Sequence, residues 1–333
     1  MTTTPTTDLE YILNNETIAQ FRYKDPGESR LLVSSTRQII TFNDYLKNLS
    51  EKSVFIFNKS SLQNVRIETT RTKTGGNIEF FILNLINSHT AHVLIKSASK
   101  FLPLDNINTA IANVQVLSKS NGTFTVNFNT DVNELINKYG KVPLPPYIND
   151  DSTKYEDYKN KFSEGGFSVA TSTAGLHFSL NMISQLKNNG HKVLFINLDI
   201  NLGTFKQINT DIIEDYKIHS EYYKITKSDY EYILKLKEVG YKVIAVGTTV
   251  LRTIETVANT GLHEGLTDLF ITPGYKFKIP DYLITNFHAP KSSLLSIVQT
   301  IFGDRWKDLY EFAQSNGLKF LSFGDAVIFN IDE

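Results

Sequence analysis

The sequence has 333 residues, of which 41% are hydrophobic, and a formal net charge of −1 at pH 7. This length suits one large domain or two ordinary ones. The absence of cysteine excludes disulfides, thiolate catalysis and cysteine-ligated zinc or iron–sulfur sites. The near-neutral charge argues against a broad basic surface for nucleic acid, so any RNA contact should be local.

The first residues, MTTTPTTDLEYILNN, lack the basic and then apolar pattern of a secretory signal. No apolar run in the sequence approaches the roughly 20 residues of a membrane-spanning helix. Together with the missing disulfides, these features predict a cytoplasmic protein that does not associate with a membrane.

Two kinds of pattern fill the first half of the chain. Residues 1–60 predict a short helix or extended piece, followed by the apolar runs LLVSS, ITFNDYLKNL and SVFIFN. Residues 61–149 consist of β-branched, partly alternating runs separated by turn residues such as Gly75-Gly76. They predict an all-β unit of five or six strands, a meander or small barrel, with no helix longer than about three turns. The segment VPLPPYI (142–148) predicts a stiff, extended linker.

Strand and helix patterns alternate from about residue 150. The runs GFSVAT, KVLFINLDI, YKVIAVG and DYLITNF predict strands, and each is followed by a helical pattern with one apolar stripe. Such alternation predicts a largely parallel sheet with helices packed on it. The predicted fold class is therefore α/β. A large discontinuous α/β domain (1–60 and 150–333) with a mostly parallel sheet is interrupted by a small inserted β-barrel domain (61–149).

Small and polar residues concentrate at three predicted strand-to-helix junctions, which are residues 172–175 (STAG), 247–249 (GTT) and 286–293 (NFHAPKSS). In a parallel sheet these junctions lie at the carboxyl ends of the strands, where ligands bind. We therefore expect the three loops to form one cleft for a ligand with anionic and hydroxylated parts.

The third of these loops has features of a helix start. Pro290 disfavours helix at the preceding residue, and Ser292 or Ser293 is a suitable N-cap. Free backbone N–H groups beside Lys291 would suit an anion, with the Lys291 side chain directed toward the strand ends. The alternative is an ordinary capped loop.

The histidines are the main candidates for acid–base chemistry. The sequence contains no P-loop, dinucleotide-binding or G-x-S-x-G signature. His177 and His288 stand in or just after two of the three loops, where either could act as a general acid or base. His219-Ser220-Glu221 could alternatively form a metal site with one of them.

Arg252 lies about one turn into the helix that follows the second loop, with Glu255 on the same face. The two residues either form an intrahelical ion pair, or Glu255 holds Arg252 so that the cation is aimed at the strand ends. An exposed helical pair contributes only about 0.3–0.5 kcal/mol. We therefore expect replacement of Arg252 to damage function far more than stability.

Several segments together match a known pattern. They are TAGLHF (173–178), VGTTVLRTIET (246–256), PGYKFKIPDYLITNFHAPKSSLL (273–295) and FGDA (323–326), with weaker matches at AQ…SRLLV (19–33), KTGGNIE (73–79), VPLPPYI (142–148), LGTF (202–205) and HSEYY (219–223). In this order, over nearly the whole chain, they closely resemble the S-adenosylmethionine:tRNA ribosyltransferase-isomerase family of queuosine synthesis.

The resemblance implies a large α/β domain interrupted by a small β-barrel. It implies transfer and isomerisation of the ribosyl part of S-adenosylmethionine onto 7-aminomethyl-7-deazaguanine in tRNA. The products would be epoxyqueuosine, adenine and methionine. The partners would be tRNA and S-adenosylmethionine, the latter a co-substrate, with no metal or other cofactor and a monomer as the expected state.

The resemblance also supplies candidate roles, because the reaction needs a base, a proton donor and groups that hold a carboxylate and ribose hydroxyls. The catalytic candidates are His177, His288 and Arg252. The substrate-binding candidates are Thr173, Ala174, Gly175, His219, Glu221, Gly247, Thr248, Thr249, Glu255, Tyr275, Asn286, Lys291, Ser292, Ser293 and Asp325.

The chain departs from the family pattern in places. The family usually has Asn-Asp-Thr-Arg-Val at residues 58–62 and Leu-His-Val-Gly at 198–201, where this chain has NKSSL and LDIN. An Arg-Asp pair is replaced by Pro26-Gly27. Losing an arginine and a histidine from a site built for charge is not conservative. Three interpretations follow: the family enzyme, a divergent paralogue that uses S-adenosylmethionine with another acceptor, or a non-catalytic descendant that binds RNA or a ligand.

Overall fold

The computed structural model describes residues 3–97, 100–120, 122–148, 155–201, 203 and 206–331. The chain divides into two compact units, one of residues 1–61 and 145–333, the other of residues 62–144. Among the described residues, none of the helices combines the length and apolar character needed to cross a membrane.

The strands, in chain order, are β1 (Arg30–Val33), β2 (Gln38–Thr41), β3 (Ser53–Asn58), β4 (Arg66–Thr70), β5 (Asn77–Leu85), β6 (Thr90–Ser97), β7 (Asn106–Asn108), β8 (Asn113–Ser120), β9 (Thr123–Phe128), β10 (Gly140–Lys141), β11 (Lys192–Leu198), β12 (Glu221–Lys224), β13 (Lys242–Val246), β14 (Glu264–Thr267), β15 (Tyr282–Asn286) and β16 (Ala326–Asn330). The α-helices are α1 (Phe42–Asn48), α2 (Val132–Tyr139), α3 (Leu180–Asn188), α4 (Lys227–Glu238), α5 (Thr248–Thr260), α6 (Ser293–Phe302) and α7 (Arg305–Ser315).

The first unit is built on a nine-stranded sheet in the order β14-β12-β11-β3-β13-β15-β16-β1-β2. The neighbours β11–β3, β3–β13, β13–β15 and β16–β1 are parallel, and the other four pairs are antiparallel. The sheet is therefore mixed, and the prediction of a mostly parallel sheet holds only at its centre. Two helices, α6 and α7, separate β15 from β16, and the chain re-enters the sheet at the end where β15 leaves it, so β16 runs antiparallel to β15. Helical and strand patterns alone do not encode that direction.

Strand β3 shows how the sheet is buried on both faces. All six of its residues are buried. Val54 and Ile56 pack in one hydrophobic cluster with residues of α4, α5, α6 and α7. Phe55 and Phe57 point the other way and pack with residues of α1 and α3. Side chains of successive residues point to opposite faces of a strand, so one continuous apolar run fills both cores of a three-layer α/β unit.

One predicted strand of the first unit is absent. Residues 167–172 (FSVATS) contain only an isolated bridge at Ser168 and then a 3₁₀ turn at Thr173–His177. Val169 and Ala170 are nonetheless buried. An apolar run that ends against a sheet without joining it carries the same pattern as a short buried strand.

The second unit is a seven-stranded antiparallel sheet in the order β10-β4-β5-β6-β9-β8-β7. An antiparallel bridge between Arg71 and Thr109, beyond the ends of β4 and β7, curls the sheet into a half-barrel, so the predicted barrel is only partly closed. The unit contains one described α-helix, the eight-residue α2, which is shorter than the three turns that the prediction allowed. The signal was local: Asp131 caps the helix through the Asn133 N–H, and Val132, Leu135 and Ile136 form its buried stripe.

Candidate active site

The three predicted loops line one cleft of about 460 Å³ in the first unit. The cleft lies where β13 and β15 end, at their carboxyl ends. Its lining residues are Pro146, Tyr147, Ala170, Thr171, Ser172, Thr173, Ala174, Ile200, Lys206, Gln207, Gly247, Thr248, Thr249, Thr285, Asn286, Phe287, His288, Ala289, Ser292, Leu294, Leu321 and Ser322. Clefts of about 300–1,000 Å³ with mostly apolar walls and a few polar groups are typical of small-molecule sites.

The first two loops approach each other at Gly247. Its φ is 96°, in the region that favours glycine. A Cβ at this position would lie 3.2 Å from Ser172 Oγ and 3.5 Å from Ala174 Cβ. Across the same contact, Ser172 Oγ lies 3.4 Å from Thr249 Oγ1. Glycine therefore lets the start of α5 close one wall of the cleft.

The third loop is capped as its sequence indicates. Ser292 Oγ accepts a hydrogen bond from the Leu295 N–H at 3.1 Å, which makes Ser292 the N-cap of α6. The same hydroxyl donates to the Ala289 carbonyl at 2.7 Å. Phe287 is fully buried beneath the loop and stacks on Phe320.

Lys291 does not face the cleft, so the prediction that it points toward the strand ends is wrong. Its φ is 56°, and its ammonium group pairs with the Glu10 carboxylate. Its backbone N–H donates to the Leu9 carbonyl at 3.0 Å, and its carbonyl accepts from the Ile208 N–H at 2.8 Å. The left-handed turn at Lys291 directs the side chain onto the N-terminal segment, a partner that local sequence does not reveal.

His288 is the histidine that lines the cleft. Its Nε2 lies 2.9 Å from Thr285 Oγ1, and the Tyr310 hydroxyl lies 3.3 Å from its backbone nitrogen. Burial lowers the pKa of His288 to about 3. The imidazole is therefore neutral at physiological pH, as a proton acceptor must be.

His177 is not among the lining residues and lies behind Asn286 instead. Its Nδ1 is 2.8 Å from Ser29 Oγ, its Nε2 is 3.3 Å from Asn286 Nδ2, and its ring stacks on Phe42. Burial lowers the pKa of His177 to about 4, against the smaller opposing effect of the Asp325 carboxylate. His177 is thus a neutral, buried residue that lies within hydrogen-bonding distance of the cleft-lining Asn286.

Arg252 pairs with Glu221 and not with Glu255, which corrects both interpretations drawn from the helix. The Arg252 and Glu221 side chains are buried and form a short ion pair, and Arg252 Nε donates to the Leu269 carbonyl at 3.0 Å. The pair borders a cavity of about 20 Å³ beside the cleft, also lined by Ser293 and by the exposed His219. The expectation that Arg252 matters little for stability assumed an exposed pair, and that premise is wrong. Because a buried pair is costly to break, we now expect a large loss of stability on its removal.

Glu255 anchors a loop. Its carboxylate accepts hydrogen bonds from the Tyr275 hydroxyl at 2.8 Å and from the backbone N–H groups of Lys278 and Ile279, each at 3.0 Å. Neither Glu255 nor Tyr275 lines the cleft. Both residues shape the segment that leads into β15, and we assign them no contact with a ligand.

Two further candidates also lie outside the lining. Asp325 is fully buried and accepts hydrogen bonds from the Tyr23 hydroxyl, the Arg30 backbone and guanidinium, and the Lys319 N–H. Gly175 lies against the Asn160 and Phe162 side chains, which a Cβ would meet at 2.9 Å. Both positions maintain the fold around the site.

The residues considered for a metal site each have other partners. Glu221 binds Arg252, His288 contacts Thr285 and His219 Nε2 lies 3.4 Å from Lys206 Nζ. Within the described ranges, no group of three or more His, Cys, Asp or Glu side chains is placed to hold a metal ion.

Sequence reasoning missed several lining residues. Lys206 is the one charged side chain among the described residues that line the cleft. Tyr147 and Ser322 hydrogen bond to each other at 2.7 Å, from segments far apart in the chain. The family-like segments VPLPPYI and LGTF adjoin or contain these positions, but no local pattern assigns Tyr147 or Lys206 to a cleft.

The two segments that depart from the family pattern contact each other. Ser60 Oγ donates to Asp199 Oδ1 and lies 2.8 Å from Ser168 Oγ. Asn58 Nδ2 donates to the Leu198 carbonyl at 2.9 Å. Ile200, next to Asp199, lines the cleft. Of the altered residues, Ser60 and Asp199 are therefore hydrogen bonded to each other, next to Ile200 at the edge of the site.

Comparison with known proteins supports one family. A family model described as queuosine biosynthesis protein matches residues 6–329. The S-adenosylmethionine:tRNA ribosyltransferase-isomerase of Sulfurihydrogenibium sp. is 38% identical over 333 residues, covering 96% of this chain and 98% of that protein. The protein of the same name from Acetivibrio thermocellus is 34% identical, with the same coverage.

A solved structure shares the fold. The crystal structure of S-adenosylmethionine tRNA ribosyltransferase from Thermotoga maritima is similar with a TM-score of 0.54 and 25% sequence identity, over 96% of this chain and 99% of that chain.

Proposed function

The chain belongs to the queuosine biosynthesis family of S-adenosylmethionine:tRNA ribosyltransferase-isomerases, and from this membership we propose that its cleft is the S-adenosylmethionine site. The reaction is transfer and isomerisation of the ribosyl moiety of S-adenosylmethionine to 7-aminomethyl-7-deazaguanine in tRNA, giving epoxyqueuosine. One observation carries the proposal: the loops at 172–174, 247–249 and 286–292, which include the family-like segments, line a single cleft of about 460 Å³.

The lining offers groups for each part of S-adenosylmethionine. Lys206 is the cation for the methionine carboxylate, in place of Lys291. The hydroxyls of Ser172, Thr173 and Thr249 are hydrogen-bonding groups for the ribosyl hydroxyls. Apolar side chains on the same walls suit the adenine ring.

His288 is the proposed proton acceptor. Removing a proton from the carbon next to the sulfonium needs an unprotonated base, and expelling adenine needs a proton donor. Burial disfavours the imidazolium form of His288, so a proton taken from that carbon is readily passed on to the departing adenine. One residue would then serve both steps, whereas His177 is not among the residues that line the cleft.

A second candidate is a related enzyme that uses S-adenosylmethionine with a different acceptor. The observation that favours it is the cluster of Ser60 and Asp199 beside Ile200, where the family usually has an arginine and a histidine nearby. In this alternative the S-adenosylmethionine site is retained and the acceptor side is changed.

Adenine release separates the two functions. The protein is incubated with S-adenosylmethionine alone, with tRNA carrying 7-aminomethyl-7-deazaguanine, and with the same tRNA carrying guanine. We expect adenine only with the first tRNA, together with epoxyqueuosine in its digested nucleosides. Adenine release that does not depend on the modified base would support the second candidate. Binding of S-adenosylmethionine without turnover would contradict both.

We further propose that the second unit contributes to tRNA binding, that the enzyme works in the cytoplasm as a monomer, and that it needs no metal. Residues 62–144 contain eight Lys and Arg against five Asp and Glu, whereas the whole chain contains 34 against 35. Local positive charge of this kind suits a phosphate backbone. Activity retained after dialysis against EDTA and a monomeric mass in light scattering are the expected results.

A further inference from the structure

A side-chain acceptor of Asn286, a residue that lines the cleft, has no hydrogen-bond partner among the described residues. Asn286 is 2% exposed and lines the cleft. Its Oδ1 has no hydrogen-bond partner among the residues that the structure describes. Buried polar atoms in folded proteins are nearly always hydrogen bonded, so an orphan at a cleft wall points to a ligand.

The orientation of the Asn286 amide is fixed. Its Nδ2 donates to the Leu321 carbonyl at 3.1 Å and lies 3.3 Å from His177 Nε2. A carbonyl oxygen only accepts hydrogen bonds, so exchanging the amide nitrogen and oxygen would place two acceptors against each other. The oxygen is therefore the atom left without a partner.

The tautomer of His177 is fixed by its contact with Ser29. Ser29 Oγ donates its proton to the Pro26 carbonyl at 2.5 Å. It can therefore only accept from His177 Nδ1, at 2.8 Å. With its proton on Nδ1, the His177 ring offers the lone pair of Nε2 to the Asn286 amide. Stacking on Phe42, with ring centroids 4.7 Å apart, holds the ring in this orientation.

We propose that Ser29 and His177 are positioning residues that hold the Asn286 carboxamide oxygen ready for an O–H or N–H donor of bound S-adenosylmethionine. The inference rests on the proposed function. Asn286 is then a specificity-determining residue, because a ligand without the matching donor leaves its oxygen unpaired. S-adenosylmethionine offers such donors at the ribosyl hydroxyls and at the exocyclic amine of adenine.

The contact between Asn286 and the ligand is tested by changing the ligand and the protein, separately and together. Calorimetry measures the binding of S-adenosylmethionine and of its 2′-deoxy, 3′-deoxy and 6-deamino analogues to wild type and to Asn286→Ala. Wild type should bind one analogue about tenfold more weakly than S-adenosylmethionine, and the variant should bind that analogue and S-adenosylmethionine equally. The analogue that loses affinity identifies the donor. If wild type and Asn286→Ala discriminate equally between S-adenosylmethionine and each analogue, the inference is overturned. If wild type does not bind S-adenosylmethionine at all, the proposed function itself is overturned.

The same analogues test the positioning role. His177→Phe keeps the stack on Phe42 but removes the acceptor, and Ser29→Ala removes the group that fixes the tautomer. Both should lose most of the discrimination that wild type shows. The matched control is His191→Gln, a buried histidine that accepts from the Ser53 N–H at 3.3 Å, away from the cleft. It should discriminate like wild type even if its melting temperature falls. If His177→Phe does not fold, Ser29→Ala provides the test. A folded His177→Phe or Ser29→Ala protein that discriminates between the ligands as wild type does would contradict the proposal.

Discussion

His288 and Asn286 both line the cleft, whereas the sequence makes His288 and His177 equal candidates for acid–base chemistry. His288 lines the cleft, whereas His177 lies behind Asn286 and is joined to Ser29. Both histidines stand near predicted loops, and the sequence contains no signal that separates a lining residue from a supporting one. The difference depends on which side of a short turn each ring lies, and that is set by distant partners such as Phe42.

Replacement of His288 by glutamine should therefore reduce turnover. We expect a fall in kcat of about 10²–10⁴-fold, the usual contribution of a general base, with a small change in KM for S-adenosylmethionine. Adenine release under steady-state conditions measures both constants. Lys291→Ala, which removes a charge on the same loop but outside the cleft, serves as the control and should retain wild-type kcat. A His288→Gln enzyme with near-normal kcat would rule out His288 as the base.

The Arg252–Glu221 pair leads to a stability prediction. Arg252→Ala leaves a buried carboxylate unpaired and should lower the free energy of unfolding by about 3–5 kcal/mol. Urea titration monitors the change. The control is Lys227→Ala, whose exposed partner Glu231 lies one turn along α4, and this change should cost less than about 0.5 kcal/mol. Similar losses of unfolding free energy in the two variants would show that the buried pair stabilises the fold no more than the exposed pair does.

The burial of His177 and His288 also makes stability depend on pH. The pKa values of His177 and His288 are lowered to about 4 and about 3, so both remain neutral in the folded state where an unfolded histidine would be protonated. The unfolded chain then binds more protons between about pH 6.5 and pH 4, and stability falls as the pH falls through this range. Each histidine should contribute about 2 kcal/mol of loss between pH 7 and pH 5.

Urea unfolding at several pH values checks this dependence. His288→Gln should flatten the acid limb, because glutamine does not titrate. An unchanged limb in that variant would mean that other groups cause the loss.

At the scale of elements, the sequence predicts what is encoded locally. The junctions β13–α5 and β15–α6 follow from apolar periodicity, from Gly247 and from the capping serine. The direction of β16, the missing strand at 167–172 and the ion pair of Lys291 with Glu10 depend on contacts between distant segments. A period of apolar residues reports that a segment is buried, but not which neighbour buries it.

The cap of α6 can be tested by itself. Ser292→Ala removes the hydroxyl that accepts from the Leu295 N–H and should lower stability by about 1 kcal/mol. Ser184→Ala on the exposed side of α3 is the matched control and should change stability by less than about 0.5 kcal/mol. Thermal and urea unfolding should rank the variants in this order. A neutral Ser292→Ala would indicate that packing alone holds the start of α6.

At the scale of the whole molecule, charge is unevenly divided. The residues of the second unit carry an excess of basic side chains, although the chain as a whole is nearly neutral. The composition of the whole chain therefore gives no sign of a nucleic-acid partner, and the excess becomes visible only when the two units are counted separately.

Lys96 and Lys119, both exposed on strands of the second unit, test this division. Lys96→Glu and Lys119→Glu should weaken tRNA binding and lower the slope of log K against log salt by about one for each phosphate that the protein no longer neutralises. Lys235→Glu, on exposed α4 of the first unit, makes the same charge change and should leave the slope unchanged. Filter binding at several salt concentrations measures all three. If Lys235→Glu has the largest effect, tRNA binds elsewhere.

A crystal structure of the protein with S-adenosylmethionine bound tests the central claim most directly. The account predicts that the ligand occupies the cleft between the loops at 172–174, 247–249 and 286–292. Its carboxylate should lie near Lys206, and one of its donors should lie within hydrogen-bonding distance of Asn286 Oδ1. A ligand bound outside this cleft, or bound in it with Asn286 Oδ1 still unpartnered and Lys206 remote, would contradict the account.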